Sequence, residues 1–306
     1  MGMPRWLVYS IISFAIWGVW GLVPKATKEV QNAPLLMQVI ATAGLLPLAL
    51  LLLLSPNVRK GKRFGAGMLG AFVSGVSASI GNVSLLEAMK LPGGHASLVL
   101  PLSGIYPLVT VVLAWVFFRE RLNGIQGLGF LLALGALVLM NVIASGEEGK
   151  AKDALASLKL APWMLWALAA LVVFGIAGFA QKVASNNISN ELSTTCFACG
   201  FVAVSLFILA TNTLNWNLPA KDWVLSLSWG VLASVGGLTL FAAYRWGKAS
   251  VVTAVTALYP ALTVALAVPL FHEPLNALRV VAIILALGAG VALSMESPPK
   301  PEAAPA

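Results

Sequence analysis

The sequence predicts an all-α integral membrane protein with ten transmembrane helices, arranged as two inverted five-helix repeats. Three observations carry this: the composition, a succession of apolar runs, and an internal duplication. Of 306 residues, 59% are hydrophobic and only 10% charged, where an ordinary soluble domain is about 25% charged. A hydrocarbon core about 30 Å thick takes about 20 apolar residues per helix, and the chain offers one such run after another.

Apolar runs broken by charge, Pro or Gly clusters fall near 6–24, 34–54, 65–87, 96–118 and 124–143, then near 162–181, 192–214, 223–244, 250–271 and 277–295. The first set defines a repeat over 6–144 and the second a repeat over 162–295. A polar linker, 145–161, joins them and holds the stretch from Gly146 to Asp153. The Pro- and Ala-rich tail, 296–306, is expected to be disordered. Although Arg5 precedes the first run as in a leader peptide, a matching run recurs mid-chain, so the first run reads as part of the mature fold.

The duplication is legible residue by residue. Leu132-Ala133-Leu134-Gly135-Ala136 recurs as Leu285-Ala286-Leu287-Gly288-Ala289, and in the same register Tyr106-Pro107 matches Tyr259-Pro260. Thr110 matches Thr263, Glu120 matches Glu273 and Asn123 matches Asn276. Upstream, at slightly different offsets, Gly75, Ser79 and Gly81 pair with Gly230, Ser234 and Gly236, and Gly18, Gly21 and Lys25 with Gly175, Gly178 and Lys182. Five spans per repeat is an odd number, so the second repeat enters the membrane from the opposite side.

The 19 Lys and Arg against 11 Asp and Glu give a net charge of +8. The basic residues sit mainly in short connections, where positive charge sets orientation. Arg59, Lys60, Lys62, Arg63, Arg119, Arg121, Arg245 and Lys248 all fall on one side, which places that side and both termini in the cytoplasm. No basic surface with interleaved aromatics is present, so nucleic acid is not an expected partner. The expected partners are the lipid bilayer and a small-molecule substrate.

The stretch from Ala96-Ser97 through Tyr106-Pro107-Leu108-Val109-Thr110 to Phe118-Arg119-Glu120-Arg121-Leu122 resembles the EamA domain of the drug/metabolite transporter superfamily. Ala249-Ser250, Tyr259-Pro260, Thr263 and Glu273-Pro274-Leu275 repeat the pattern. The resemblance covers about 90% of the chain. It implies ten spans, cytoplasmic termini, a central cavity lined mainly by spans 1, 3, 4, 6, 8 and 9, and transport by alternating access. It does not name a solute, since the superfamily handles amino acids, sugars, nucleotide-sugars, cationic drugs and lipid-linked sugars. One departure is His272-Glu273-Pro274 in place of Arg119-Glu120-Arg121, which agrees with inversion because the basic version then lies inside.

On this reading the substrate cavity draws on Trp17, Trp20, Lys25, Asn82, Tyr106, Thr110, Gln181, Lys182, Tyr259 and Thr263. An intramembrane ammonium such as Lys25 or Lys182 must snorkel, pair or face water, and Glu29 stands one turn from Lys25. Glu87, a lone carboxylate in a long apolar run, is a candidate for proton coupling or for an interfacial pair with Lys90. Pro107 and Pro260 free backbone carbonyls and permit kinks. With Glu120, Gly135, Glu273 and Gly288 they form the structural motif of the repeats. Small residues crowd spans 3 and 8, where close backbone approach drives helix association in lipid. Cys196 and Cys199 read as packing residues despite their C-x-x-C spacing.

Enzymatic readings find no support. No G-x-x-x-x-G-K-[ST] loop occurs, since Gly247-Lys248 is followed by Ala249. His95 and His272 lie far apart without ligand spacing, so no metal and no cofactor is expected. The expected function is secondary-active export of amino acids or other small polar metabolites from the plasma membrane of a bacterium. Sugar uptake, a lipid-linked flippase and a partner subunit are the alternatives.

Overall fold

The computed structural model describes residues 3–27, 33–118, 123–144, 160–246, 252, 255–256 and 258–295. Glu29, Glu120, most of the linker and the tail lie outside them. The described residues are nearly all helical: α1 (Arg5–Trp20), α2 (Val23–Ala26), α3 (Pro34–Leu53), α4 (Phe64–Lys90), α5 (Ala96–Ser103), α6 (Pro107–Phe118), α7 (Gly124–Ala144), α8 (Pro162–Asn187), α9 (Asn190–Thr211), α10 (Ala220–Trp246), α11 (Tyr259–Phe271) and α12 (Ala277–Ser294).

Among the described residues, six helical segments are long and apolar enough to cross a membrane: 5–26, 34–53, 64–90, 162–187, 190–211 and 220–243. Shorter apolar helical stretches occupy 96–110, which takes in α5 and the start of α6, and 124–140, 259–271 and 277–293. At 1.5 Å per residue the 27-residue α4 is about 40 Å long, enough to span hydrocarbon and both interfaces. Large apolar side chains such as Leu51, Leu69, Phe117, Phe207 and Ile284 stand exposed on the outer surface, as lipid-facing positions require.

Local signals explain where the helices begin. Pro34, Pro107 and Pro162 each open a helix, where the missing N–H costs nothing. Ser189 accepts from the Leu192 amide and Asn276 from the Arg279 amide, capping α9 and α12. The expected kinks at Tyr-Pro are fuller interruptions: α5 ends at Ser103, and a turn through Gly104, Ile105 and Tyr106 precedes α6. Span 1 is likewise broken, between Trp20 and Val23.

The two halves pack by exchange. α4 lies along α8 and α1 lies along α10; α3 meets α10 and α4 meets α9. A Cβ on Gly75 would overlap the backbone of Phe197, and one on Gly230 that of Ala41. A Cβ on Gly81 would strike Phe174, and one on Gly236 would come within 3.0 Å of Trp17. At the crossing of α7 with α12, Gly135 faces Leu285 and Gly288 faces Leu132, each at 3.5 Å from the built Cβ. Each of these contacts recurs with the halves exchanged, the signature of a pseudo-two-fold axis.

Two further ties fix the ends of the bundle. The loop at Lys60–Lys62 pairs with the turn after α8: Lys62 N donates to Asn187 O at 2.7 Å and Ser189 N to Lys60 O at 3.0 Å. Elsewhere the carboxylate of Glu273, just after α11, accepts from Ala96 N and Ser97 N, both at 2.9 Å. This buried acid therefore caps α5 from the other half of the chain, and a negative charge at a helix N-terminus is favourable there.

Candidate functional site: an aromatic cavity between the halves

A cavity of about 140 Å³ lies where the two halves meet. α1 contributes Trp17 and Trp20, α4 contributes Ser74, Ala78 and Asn82, and α8 contributes Phe174, Ala177, Gly178 and Gln181. From α9 come Thr194, Phe197 and Phe201, and from α10 Ala233, Ser234, Gly237, Leu240 and Phe241. Leu45, Tyr106, Thr256 and Tyr259 complete the wall. No ionisable side chain other than the two tyrosine phenols is among these lining residues.

Aromatic rings shape one side. The indole of Trp17 meets Trp20 edge-on with centroids 5.4 Å apart, and lies 6.4 Å from the Tyr259 ring. Trp20 stacks on Trp229 at 5.1 Å and 15°, and the Trp229 Nε1 donates to Trp20 O at 3.1 Å. Trp229 is fully buried behind the wall. Such rings offer rigid apolar surface with few rotatable bonds.

Of the predicted lining, the structure brings Trp17, Trp20, Asn82, Tyr106, Gln181 and Tyr259 together around this space. Thr110 and Thr263 are at helix crossings instead. Thr110 Oγ1 donates to Gly175 O at 2.9 Å, and Thr263 Oγ1 to Gly18 O at 2.8 Å. These are one bond seen twice, because Gly175 and Gly18 are register partners. Each ties the helix after a Tyr-Pro break to the first helix of the other repeat.

Lys25 and Lys182 are half-buried and do not line the cavity. Lys25 lies in the last turn of α2, close enough to His95 to act on it electrostatically together with Glu273 and Arg279. Burial holds the His95 imidazole below its usual value; Glu273 opposes that shift, while Arg279 and Lys25 add to it. Glu87 lies at the end of α4, where it pairs with Lys90 at 3.8 Å. The pair is partly exposed and stands apart from the cavity lining. Cys196 is buried and Cys199 exposed, both as free thiols.

Sequence reading missed Ser74, Thr194, Ser234, Thr256 and the phenylalanines of the wall. Phe174 was accessible in principle, since it is the register partner of Trp17; nothing local marks Thr194 or Phe197. Also unmarked was a buried polar cluster where α3, α4 and α9 meet. There Gln38 Nε2 donates to Ser79 Oγ at 2.8 Å and Ser205 Oγ to Thr42 Oγ1 at 2.8 Å. Between helices in a membrane such bonds hold the packing together.

The model of the EamA-like transporter family matches residues 4–142 and again 161–295. The chain belongs to the EamA-like transporter family. Both matched segments are EamA repeats, so the duplication and the exchange packing are properties of a two-repeat EamA protein embedded in a membrane. The chain is 39% identical over 72 residues to an uncharacterized protein of Methanocaldococcus jannaschii, a match covering 24% of this chain and 51% of that one. The EamA chain thus spans about half the length of this curated relative. It is also similar to a protein of known crystal structure at 18% identity with a TM-score of 0.60, over 93% of this chain and 94% of that one. At that identity the likeness speaks for the fold alone.

Proposed function

We propose that this EamA protein is a secondary-active carrier that exports amino acids or other small polar metabolites by alternating access. The observation that carries the reading is the cavity itself. It lies between two repeats related by exchange, both repeats line it, and the described residues of its wall offer hydroxyls, carboxamides and aromatic rings without a fixed charge. A solute with no net charge, such as a zwitterion, meets no uncompensated charge there. Two similar halves around one site supply two conformations of opposite facing at similar energy.

In this reading the four shorter apolar helices join the six long ones to make ten spans. The second repeat is inverted, the termini are cytoplasmic and the membrane is a bacterial plasma membrane. The breaks at Gly104–Tyr106 and before Tyr259 are the hinges. Lys25 and Lys182 occupy equivalent places at opposite faces, where an ammonium meets solute carboxylates entering or leaving.

Sugar uptake is the second reading, favoured by Trp17, Trp20 and Tyr259, since flat rings beside carboxamides suit sugar faces and hydroxyls. Reconstitution in liposomes with labelled amino acids, sugars and organic cations, with and without a proton gradient, tests both. Gradient-dependent movement of amino acids supports the first, movement of sugars alone the second. Failure of every class to move overturns both and favours a flippase or a partner subunit.

A further inference from the structure

The register of the repeats exposes an asymmetry at the cavity. The pairing of Gly18 with Gly175 and Gly21 with Gly178 makes Ala177 the partner of Trp20. The pairing of Gly75 with Gly230 makes Ser74 the partner of Trp229. On one side of the pseudo-two-fold axis, therefore, two stacked indoles fill the space. On the other, the same two positions hold a methyl and a hydroxymethyl group, and both line the cavity.

This hollow does not come from divergence of the backbone. The contacts that flank it are matched in both halves: Gly81 against Phe174 answers Gly236 against Trp17, and Gly75 against Phe197 answers Gly230 against Ala41. Only the side chains differ. Gly81 against Phe174 and Gly67 against Ile188 also show that α4 and α8 run antiparallel. That levels Ala78 with Ala177 and sets a carboxamide one turn to either side, Asn82 along α4 and Gln181 along α8. Asn82 is 4% exposed, lines the cavity, and its amide has no hydrogen-bond partner among the described residues. The amide opens onto the cavity, where a bound solute can hydrogen-bond it. The register partners of the two amides, Gly237 and Pro24, carry none, so the polar groups and the free volume fall on the same side.

We propose that the hollow between Ala177 and Ser74 is a subsite for a flat, uncharged ring of about indole size, carried by a net-neutral solute whose polar group bonds Asn82 or Gln181. The ring takes the place that Trp20 and Trp229 fill in the mirror position. This rests on the transport reading above for its physiological meaning, but the subsite itself is a statement about binding.

The test is equilibrium binding to the purified protein in nanodiscs, with labelled L-tryptophan, L-alanine and indole-3-ethanol, the last carrying the ring without the amino-acid group. The wild type is expected to hold L-tryptophan at least about tenfold tighter than L-alanine. Ala177→Trp restores the mirror symmetry and is expected to weaken both ring-bearing probes at least about tenfold, with L-alanine changed less than about threefold. Ala177→Leu gives a graded loss should the larger residue impair folding. A wild type that holds neither ring-bearing probe above L-alanine overturns the proposal, as does Ala177→Trp binding them like wild type. If indole-3-ethanol binds and is lost in Ala177→Trp while no amino acid or sugar crosses liposomes, the subsite stands and the transport reading fails.

Discussion

Removal of the Glu273 carboxylate is the perturbation whose cost can be worked most directly from the geometry. The side chain is 6% exposed, and its two oxygens each accept from a backbone amide at 2.9 Å, Ala96 N and Ser97 N. A hydrogen bond to a charged group contributes about 1.5–3 kcal/mol, so the pair contributes about 3–6 kcal/mol. Water reaching the amides in an alanine variant recovers part of this, which leaves about 3 kcal/mol. The bonds join the two repeats, so the loss falls on tertiary packing and not on an isolated helix. At about 2 °C per kcal/mol for a chain of this length, Glu273→Ala is expected to lower the melting temperature by about 6 °C, read by size-exclusion fluorescence after heating. Glu273→Gln keeps one acceptor oxygen without the charge and is expected to lose about half as much. A Glu273→Ala protein that melts within about 1 °C of wild type would refute the reasoning and reduce the contact to an incidental one.

Other perturbations follow from the same contacts. Gly230→Leu drives a side chain into the Ala41 backbone and is expected to abolish monodisperse protein, whereas Gly127→Ala, with open space around it, is expected to be neutral in the same chromatography. Glu87→Gln breaks a partly exposed 3.8 Å pair and is expected to change stability by less than about 1 kcal/mol. It should leave the pH profile of transport as in wild type; a displaced profile would return Glu87 to the role of coupling carboxylate. Burial lowers the His95 imidazole in the folded protein, so its neutral form is the one folding favours. That contribution is present above the unfolded value of 6.5 and lost as the pH falls below it. Wild type is therefore expected to lose melting temperature between pH 7.5 and 5.5, and His95→Gln to lose less; equal slopes would contradict this.

Much of the architecture was legible because the bilayer imposes a strict rule. Away from the helix ends, a backbone amide in hydrocarbon is satisfied within its own helix, so apolar runs read as helices without regard to tertiary context. Breaks were legible in kind but not in extent. Pro107 removes a donor, yet the full turn from Gly104 to Tyr106 depends on Gly104, whose built Cβ would come within 3.1 Å of Pro260 of the other repeat. Such a contact has no local signature. Of the candidate lining, the rings and amides on interior helix faces met at the cavity. The threonines went to helix crossings, because a hydroxyl facing a glycine carbonyl satisfies two buried groups at once.

By itself the amino-acid sequence determined the membrane as solvent, the two repeats and the register between them, since these rest on composition, period and internal identity. Only the tertiary structure decided that Glu273 caps the helix at Ala96 and that Trp20 stacks on Trp229 while Ala177 and Ser74 face open space. The physical reason is common to both. Each is a contact between residues whose partner is set by how two helices cross, and a crossing is a property of two surfaces together. No single run of residues carries it.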